Sequence, residues 1–176
     1  MESIAIRLDR FIDRLGRVTA WAGFALAITM AGNVLLRYVF HSGSVWSQEL
    51  EWHWMAVICT LSISYTILHD GIVRVDVLYA NFSPGLKRTI DLMTMAMLMA
   101  VAAGIIWLSL PYVANSWNIG ETSTNPGGIP YRYALKALIP IGFFLVFLQG
   151  LSQFLKLLAP DWSAKHYAEE PINAGE

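Results

Sequence analysis

Charge is absent from four long stretches of this chain and gathers at their ends. Arg17 and Arg37 enclose 19 uncharged residues, Glu51 and Asp70 enclose 18, Asp91 and Glu121 enclose 29, and Lys136 and Lys156 enclose 19. A bilayer's hydrocarbon core is about 30 Å thick, and about 20 helical residues cross it. The spacing therefore predicts an all-α integral membrane protein with four transmembrane helices. The spans are expected over 18–40, 46–69, 86–117 and 133–158, in one domain of residues 1–160 followed by a polar tail over 161–176. So little chain remains outside the spans that a soluble catalytic domain is excluded, and the protein is not expected to be an enzyme.

Composition narrows the class further. The chain is 56% hydrophobic and only 14% charged, against about 25% charged in a soluble domain. The net charge of −1 gives no footprint for nucleic acid. The single cysteine, Cys59, has no intrachain partner and cannot build a cysteine metal or redox site alone; it reads as a small buried apolar residue. The first apolar run starts only after Arg17, is long enough to span, and lacks a small-x-small cleavage site, so it reads as a retained first helix.

Before that run, Ile4, Leu8, Phe11, Ile12 and Leu15 recur at helical spacing, interleaved with Arg7, Arg10, Arg14, Arg17, Asp9 and Asp13. This amphipathic N-terminal segment either lies on the membrane surface or extends the first span. The third span exceeds the core thickness and must tilt, kink or protrude, with Pro111 a natural kink point; Pro140 lies inside the fourth. The N-terminus, the middle loop and the tail hold nine of the 12 Lys and Arg residues, and the other two loops hold Arg37, Arg132 and Lys136. Basic residues favour the cytoplasmic side, so both termini are expected there. Trp46, Trp52, Trp54, Tyr112, Trp117, Tyr131 and Tyr133 gather at the expected outer boundary, where amphipathic rings prefer to sit.

Polar groups near the spans ask for partners. The second span opens W-S-Q-E-L-E-W-H-W over 46–54. Ser47 suits a helix cap. Glu49 and His53 are four apart and share a face, while Glu51 points elsewhere; two ligands are too few for a metal site. Arg37 closes the first span at the depth where the second begins, so an ion pair with Glu49, with Glu51 or with a partner's charge is expected. Asn33 should face another helix rather than lipid. Gly23 and Gly32, with Ala22, Ala27 and Ala31, would permit close helix approach there. His53 and His69 sit at opposite ends of one span, with no second axial histidine on another, so no haem or other cofactor is expected. An anchor subunit of a haem or quinone redox complex is the competing class. A coupled-ion path calls for acids at mid-membrane, and none of the four span centres has one.

Several segments carry a family resemblance: R-Y-V-F at 37–40, the W-x-x-E-L of Trp46, Glu49 and Leu50, H-D-G-I-V-R-V-D-V at 69–77, N-I-G-E-T-S-T-N-P-G-G-I-P at 118–130, and P-I-G-F at 140–143. In order and spacing, from about residue 10 to 158, the chain resembles the small, DctQ-like membrane subunit of tripartite ATP-independent periplasmic (TRAP) transporters. Two departures stand out: Gln48 replaces the first of two adjacent acids common in the family, and Ile72 stands where many members have a histidine. The resemblance implies an inner-membrane protein that binds no substrate itself and scaffolds a large permease subunit. That subunit would carry the substrate and sodium sites, and a periplasmic binding protein would deliver an organic acid anion. Under this implication Asn33, Arg37, Trp46, Glu49, Glu51, His53, Arg74, Asp76, Glu121 and Pro130 are the candidate interface or structural residues. Arg74 and Asp76 would pair or hold the middle loop against the large subunit. Glu121, Ser123 and the turn from Gly127 to Pro130 would form an outer loop within reach of the binding protein.

Overall fold

In a computed structural model, residues 2–71, 79 and 82–159 are described. Arg74, Asp76 and the tail over 161–176 lie outside the described residues. Four helices follow one another: α1 (Glu2–Val39), α2 (Val45–Leu68), α3 (Pro84–Asn118) and α4 (Arg132–Leu158). At about 1.5 Å per residue all four exceed the 30 Å core, with α1 and α3 longest. Three of them, α1, α3 and α4, are long and apolar enough to cross a membrane. The fourth, α2, is long enough, but Glu49, Glu51 and His53 in its first turns lower its mean hydropathy.

The helix ends follow from local chemistry. The N-cap of α2 is Ser44, without a side-chain capping bond. Ser47, expected to cap, lies one turn inside and donates instead to the Ser44 carbonyl and to Asn33. Gly120, at φ +58°, ends α3 in the left-handed region that glycine enters without strain. There the Gly120 and Glu121 amides return to the Trp117 and Ser116 carbonyls. Pro111 and Pro140 sit inside α3 and α4, which run on through them.

The helix α4 is the hub, packing along α3, α2 and α1, while α1 also packs along α2. Its inward face carries Gly142, Leu145, Val146, Gln149, Gly150 and Ser152, and Val146 meets Ile67 and Ala102 in the core. A Cβ on Gly142 would sit 2.8 Å from the Thr60 carbonyl oxygen, so α2 and α4 cross there backbone to backbone. The glycines expected to bring helices together, Gly23 and Gly32, have nothing within 4 Å of a Cβ position; the close approach to α1 falls on Gly16, against the Tyr65 ring. Gly32 lies about 160° around the helix from Gly16; Gly23, seven residues on, shares the Gly16 face but has no atom of a neighbouring helix close to it.

Of the two readings of the N-terminal segment, the structure takes the second: α1 is one continuous helix from Glu2. Ala5 and Ile12 are buried, and the Ala5 carbonyl accepts from Ser152 of α4. Cys59 corrects its expectation, since it is exposed. Met55, Cys59, Ile63 and Thr66 form the exposed face of α2, which neither α1 nor α4 covers. Alternating methionines of α3 split as a helix requires: Met93 and Met97 are exposed and Met95 is buried. Trp21, Phe24, Ile28, Met97, Trp107 and Leu108 are among many large apolar side chains left exposed. Water would penalise such a surface at about 25 cal/mol per Å²; hydrocarbon would not.

Candidate functional site

Polar side chains converge at the two ends of the bundle. The distal end, opposite the N-terminus, holds the α1–α2 connection and the α3–α4 loop. Its centre is Glu49, whose residue is only 3% exposed. A carboxylate so enclosed must be hydrogen-bonded or it destabilises the fold by several kcal/mol. The loop supplies what it needs. Ser123 donates its hydroxyl to Oε1, Asn125 donates from Nδ2 at 3.1 Å to the same oxygen, and the Ile129 backbone N–H donates to Oε2 at 2.7 Å. Arg132, in the first turn of α4, brings a guanidinium nitrogen to 4.0 Å. The loop closes this tightly because residue 128 is glycine: a Cβ there would lie 2.6 Å from Glu49 Oε2 and would strike Ser123.

A second acid closes the same loop from its other side. The Gly120 turn places Glu121 so that Oε2 accepts from Ser116 at 2.6 Å and from Lys136 of α4. The Lys136 ammonium also lies 4.1 Å from the centroid of the Tyr112 ring, a favourable cation–π position. The Lys136 hydrogen bond first, then that of Ser116, holds the Glu121 carboxyl below the ordinary glutamate range. The Arg132 amide donates to the Glu121 carbonyl at 3.0 Å, so Arg132 touches both acids. Trp117 and Tyr133 meet edge to face at 4.4 Å, and Tyr131, at φ +66°, turns the chain into α4. The loop is thus a latched platform whose exposed side carries Thr122, Thr124, Asn125, Pro126, Pro130 and Tyr131.

Asn33 does face another helix. It donates to Glu51 Oε1 at 2.8 Å and accepts from Ser47 at 2.6 Å, tying α1 to the head of α2. His53 donates through Nδ1 to the Glu49 carbonyl at 2.7 Å, which fixes its tautomer. The expected ion pair of Arg37 with Glu49 or Glu51 does not form: among the described residues no acid lies within 4 Å of Arg37. Glu49 turns to the α3–α4 loop, where three donors meet it, and Glu51 turns to Asn33. Arg37 instead lines an open cleft of about 440 Å³ with Met30, Asn33, Val34, Tyr38, Gln48, Glu51 and Trp52. Trp46, in the first turn of α2, stands exposed. No three His, Cys, Asp or Glu side chains cluster as a metal site would require, among the described residues.

Asn125, Arg132, Lys136 and Ser116 were not singled out by sequence reasoning. A charge count held the signal for two of them, because Arg132 and Lys136 open one span and Glu49, Glu51 and Glu121 are the acids on the same side. At the proximal end, Asp9 of α1 is held against α4 by Lys156, by Ser152 at 2.7 Å and by Gln149 at 3.3 Å. Asp13 pairs with Arg17 and approaches His69 of α2 at 3.3 Å.

This arrangement ties helices and one loop together and presents surfaces. Residues 26–159 match the family described as tripartite ATP-independent periplasmic transporters, DctQ component. Comparison with curated proteins finds no significant match. With the family match covering well over half of a chain whose described residues form four long helices with an apolar exterior, the protein belongs to the DctQ family, the small membrane component of TRAP transporters.

Proposed function

We propose that this protein is the fixed, membrane-embedded scaffold of a binding-protein-dependent secondary transporter. All four helices cross the inner membrane, with both termini cytoplasmic and the distal end facing the periplasm. The α2 helix crosses with the rest because its polar head is drawn into the latched loop and the Asn33 network, which leaves an apolar body below. The chain packs against a large permease subunit that carries the substrate and sodium sites, and supports sodium-coupled uptake of an organic acid anion. The latched loop, with Glu121 and Pro130 at its borders, lies where a periplasmic binding protein would dock.

One observation carries this reading. Every charge of the helices lies toward an end, and Asp9, Glu49, Glu51 and Glu121 there are already engaged within the chain, whereas a conduit for ions or anions needs polar groups at mid-membrane. Vesicles containing the large subunit with this chain, supplied with the binding protein and a sodium gradient, should accumulate the anion, and vesicles lacking this chain should lose most of that uptake. Uptake by this chain alone would overturn the scaffold reading, and so would a Soret band in its absorbance spectrum.

A further inference from the structure

The first turns of α1 carry a basic face that the bundle does not use. Arg7, Arg10, Arg14 and Arg17 are exposed, spaced three, four and three residues apart, so they share one side of the helix. Ile4, Phe11, Val18 and Trp21 interleave with them and are at least half exposed. The opposite side holds Ala5, Asp9 and Ile12, which face α4. Only Arg17 has an acidic partner, Asp13; among the described residues no carboxylate oxygen lies within 4 Å of a guanidinium nitrogen of Arg7, Arg10 or Arg14. Water alone would solvate such a face adequately, but its place in the helix argues for more. Because α1 is one unbroken helix, the depth of each arginine is set by the uncharged stretch that starts at residue 18. At about 1.5 Å per residue, Arg14 lies about 5 Å beyond Arg17, and Arg7 about 15 Å. The head-group layer is about 5–7 Å thick on each side, so Arg14 lies within it and Arg10 and Arg7 at its outer side, with Trp21 at the hydrocarbon edge where its ring prefers to sit.

We infer that this face is a binding site for anionic phospholipid, with Arg14 and Arg10 receiving phosphate oxygens, Arg7 adding charge at the outer edge, and Val18 resting among the upper acyl carbons. Guanidinium matches phosphate geometry, and basic clusters beside a membrane helix favour anionic lipid. The inference rests on α1 crossing the membrane. The acids of residues 160–176 (Asp161, Glu169, Glu170 and Glu176) are the competing partner. Lipid is favoured because the arginines run along the helix into the bilayer edge.

The test reconstitutes the full-length protein into equimolar phosphatidylcholine and phosphatidylglycerol and measures the share of protein-associated spin-labelled lipid of each kind. The wild type should prefer phosphatidylglycerol. The triple variant R7Q/R10Q/R14Q should lose most of that preference, while R7K/R10K/R14K keeps most of it and Arg37→Gln, at the other end of α1, leaves it unchanged. Because the three positions are exposed, helix content by circular dichroism should stay constant. Three results would overturn the inference. These are no preference in the wild type, an unchanged preference in the glutamine variant, or a preference that emerges only when residues 160–176 are removed. Failure of the protein to enter vesicles of either lipid would instead remove the spanning helix on which the inference rests.

Discussion

Glu49 at the distal end and Asp9 at the proximal end are both acids drawn against the bundle, and they are held by different kinds of partner. Asp9 meets side chains of one regular helix, Gln149, Ser152 and Lys156, so it sets the register of two elements that also pack through Ala5, Ile12 and Leu157. Glu49 meets a loop with no secondary structure of its own, through Ser123, Asn125 and the Ile129 amide. The same chemistry thus serves two ends: helix register at one, and at the other the shape of an irregular segment that has little apolar packing to fall back on. An exposed loop is ordered only when contacts offset its conformational entropy, about 1–2 kcal/mol per residue. A carboxylate accepting several hydrogen bonds is a compact way to do that.

The largest effect should follow Glu49→Ala, because it leaves three donors and Arg132 without their acceptor at once. The expected outcome is a fall in melting temperature of roughly 5 °C or more and a loss of most transport by the reconstituted assembly. Proteolysis should cut within residues 119–131 before any helix is cut. Glu49→Gln, which keeps an acceptor oxygen, should fall between that variant and the wild type. Equal protease resistance in wild type and Glu49→Ala would show that the loop holds its shape without the latch.

Gly128→Ala approaches the same lock from the loop's side and should come next. Its methyl would meet Ser123 and Glu49 Oε2, so either the loop shifts or Glu49 loses its donors, and the proteolysis pattern should resemble that of Glu49→Ala. Combined, the two variants should do little more damage than Glu49→Ala alone, because they break one network. Additive losses would separate the glycine from the carboxylate.

Asp9→Asn should be milder. It removes the charge opposite Lys156, and the amide can still accept from Ser152 while the apolar contacts remain. The expected loss is about 1–2 kcal/mol, with transport largely kept and no new cleavage within 119–131, read by thermal denaturation and limited proteolysis of the same samples. If Asp9→Asn opens the distal loop, the two ends are coupled through α4, and the contrast between them fails.

How much of this was legible beforehand depends on the range of the interaction. The four charge-free stretches predicted the four helices because hydrophobic length is a local property, readable within one segment. Asn33 was readable too, because an amide inside an apolar helix has few places to go. The partner of Glu49 was not. Arg37 lies 12 residues away in sequence, and Asn125 and Ile129 lie 76 and 80 away. The nearer charge looked sufficient until the loop was seen folded over the α2 head. Gly23 and Gly32 failed for a related reason: composition shows that a helix can be approached closely, and only the packed neighbour shows where.

The smallest effect belongs to Glu121 and is a matter of pH. Its carboxyl is held below the ordinary glutamate value by Lys136 and Ser116. A group with a lowered folded value contributes stability that is present above the unfolded value, about 4.3, and is lost as pH falls through the folded one. The clasp between α3 and α4 should therefore be indifferent to pH from 8 down to about 5 and weaken only below about 4. Glu121→Gln should lower thermal stability slightly at neutral pH, since the group is partly exposed and such pairs contribute little. It should also flatten the acid limb of the stability curve. Trp117 meets Tyr133 edge to face one turn from this clasp, so a variant retaining Trp117 as its single tryptophan should report the opening as a fluorescence change absent in Glu121→Gln. A transition of unchanged midpoint in Glu121→Gln would assign the acid sensitivity to another carboxylate. Glu49 would be the first to examine, since the loop that Glu121 closes is the one Glu49 holds down.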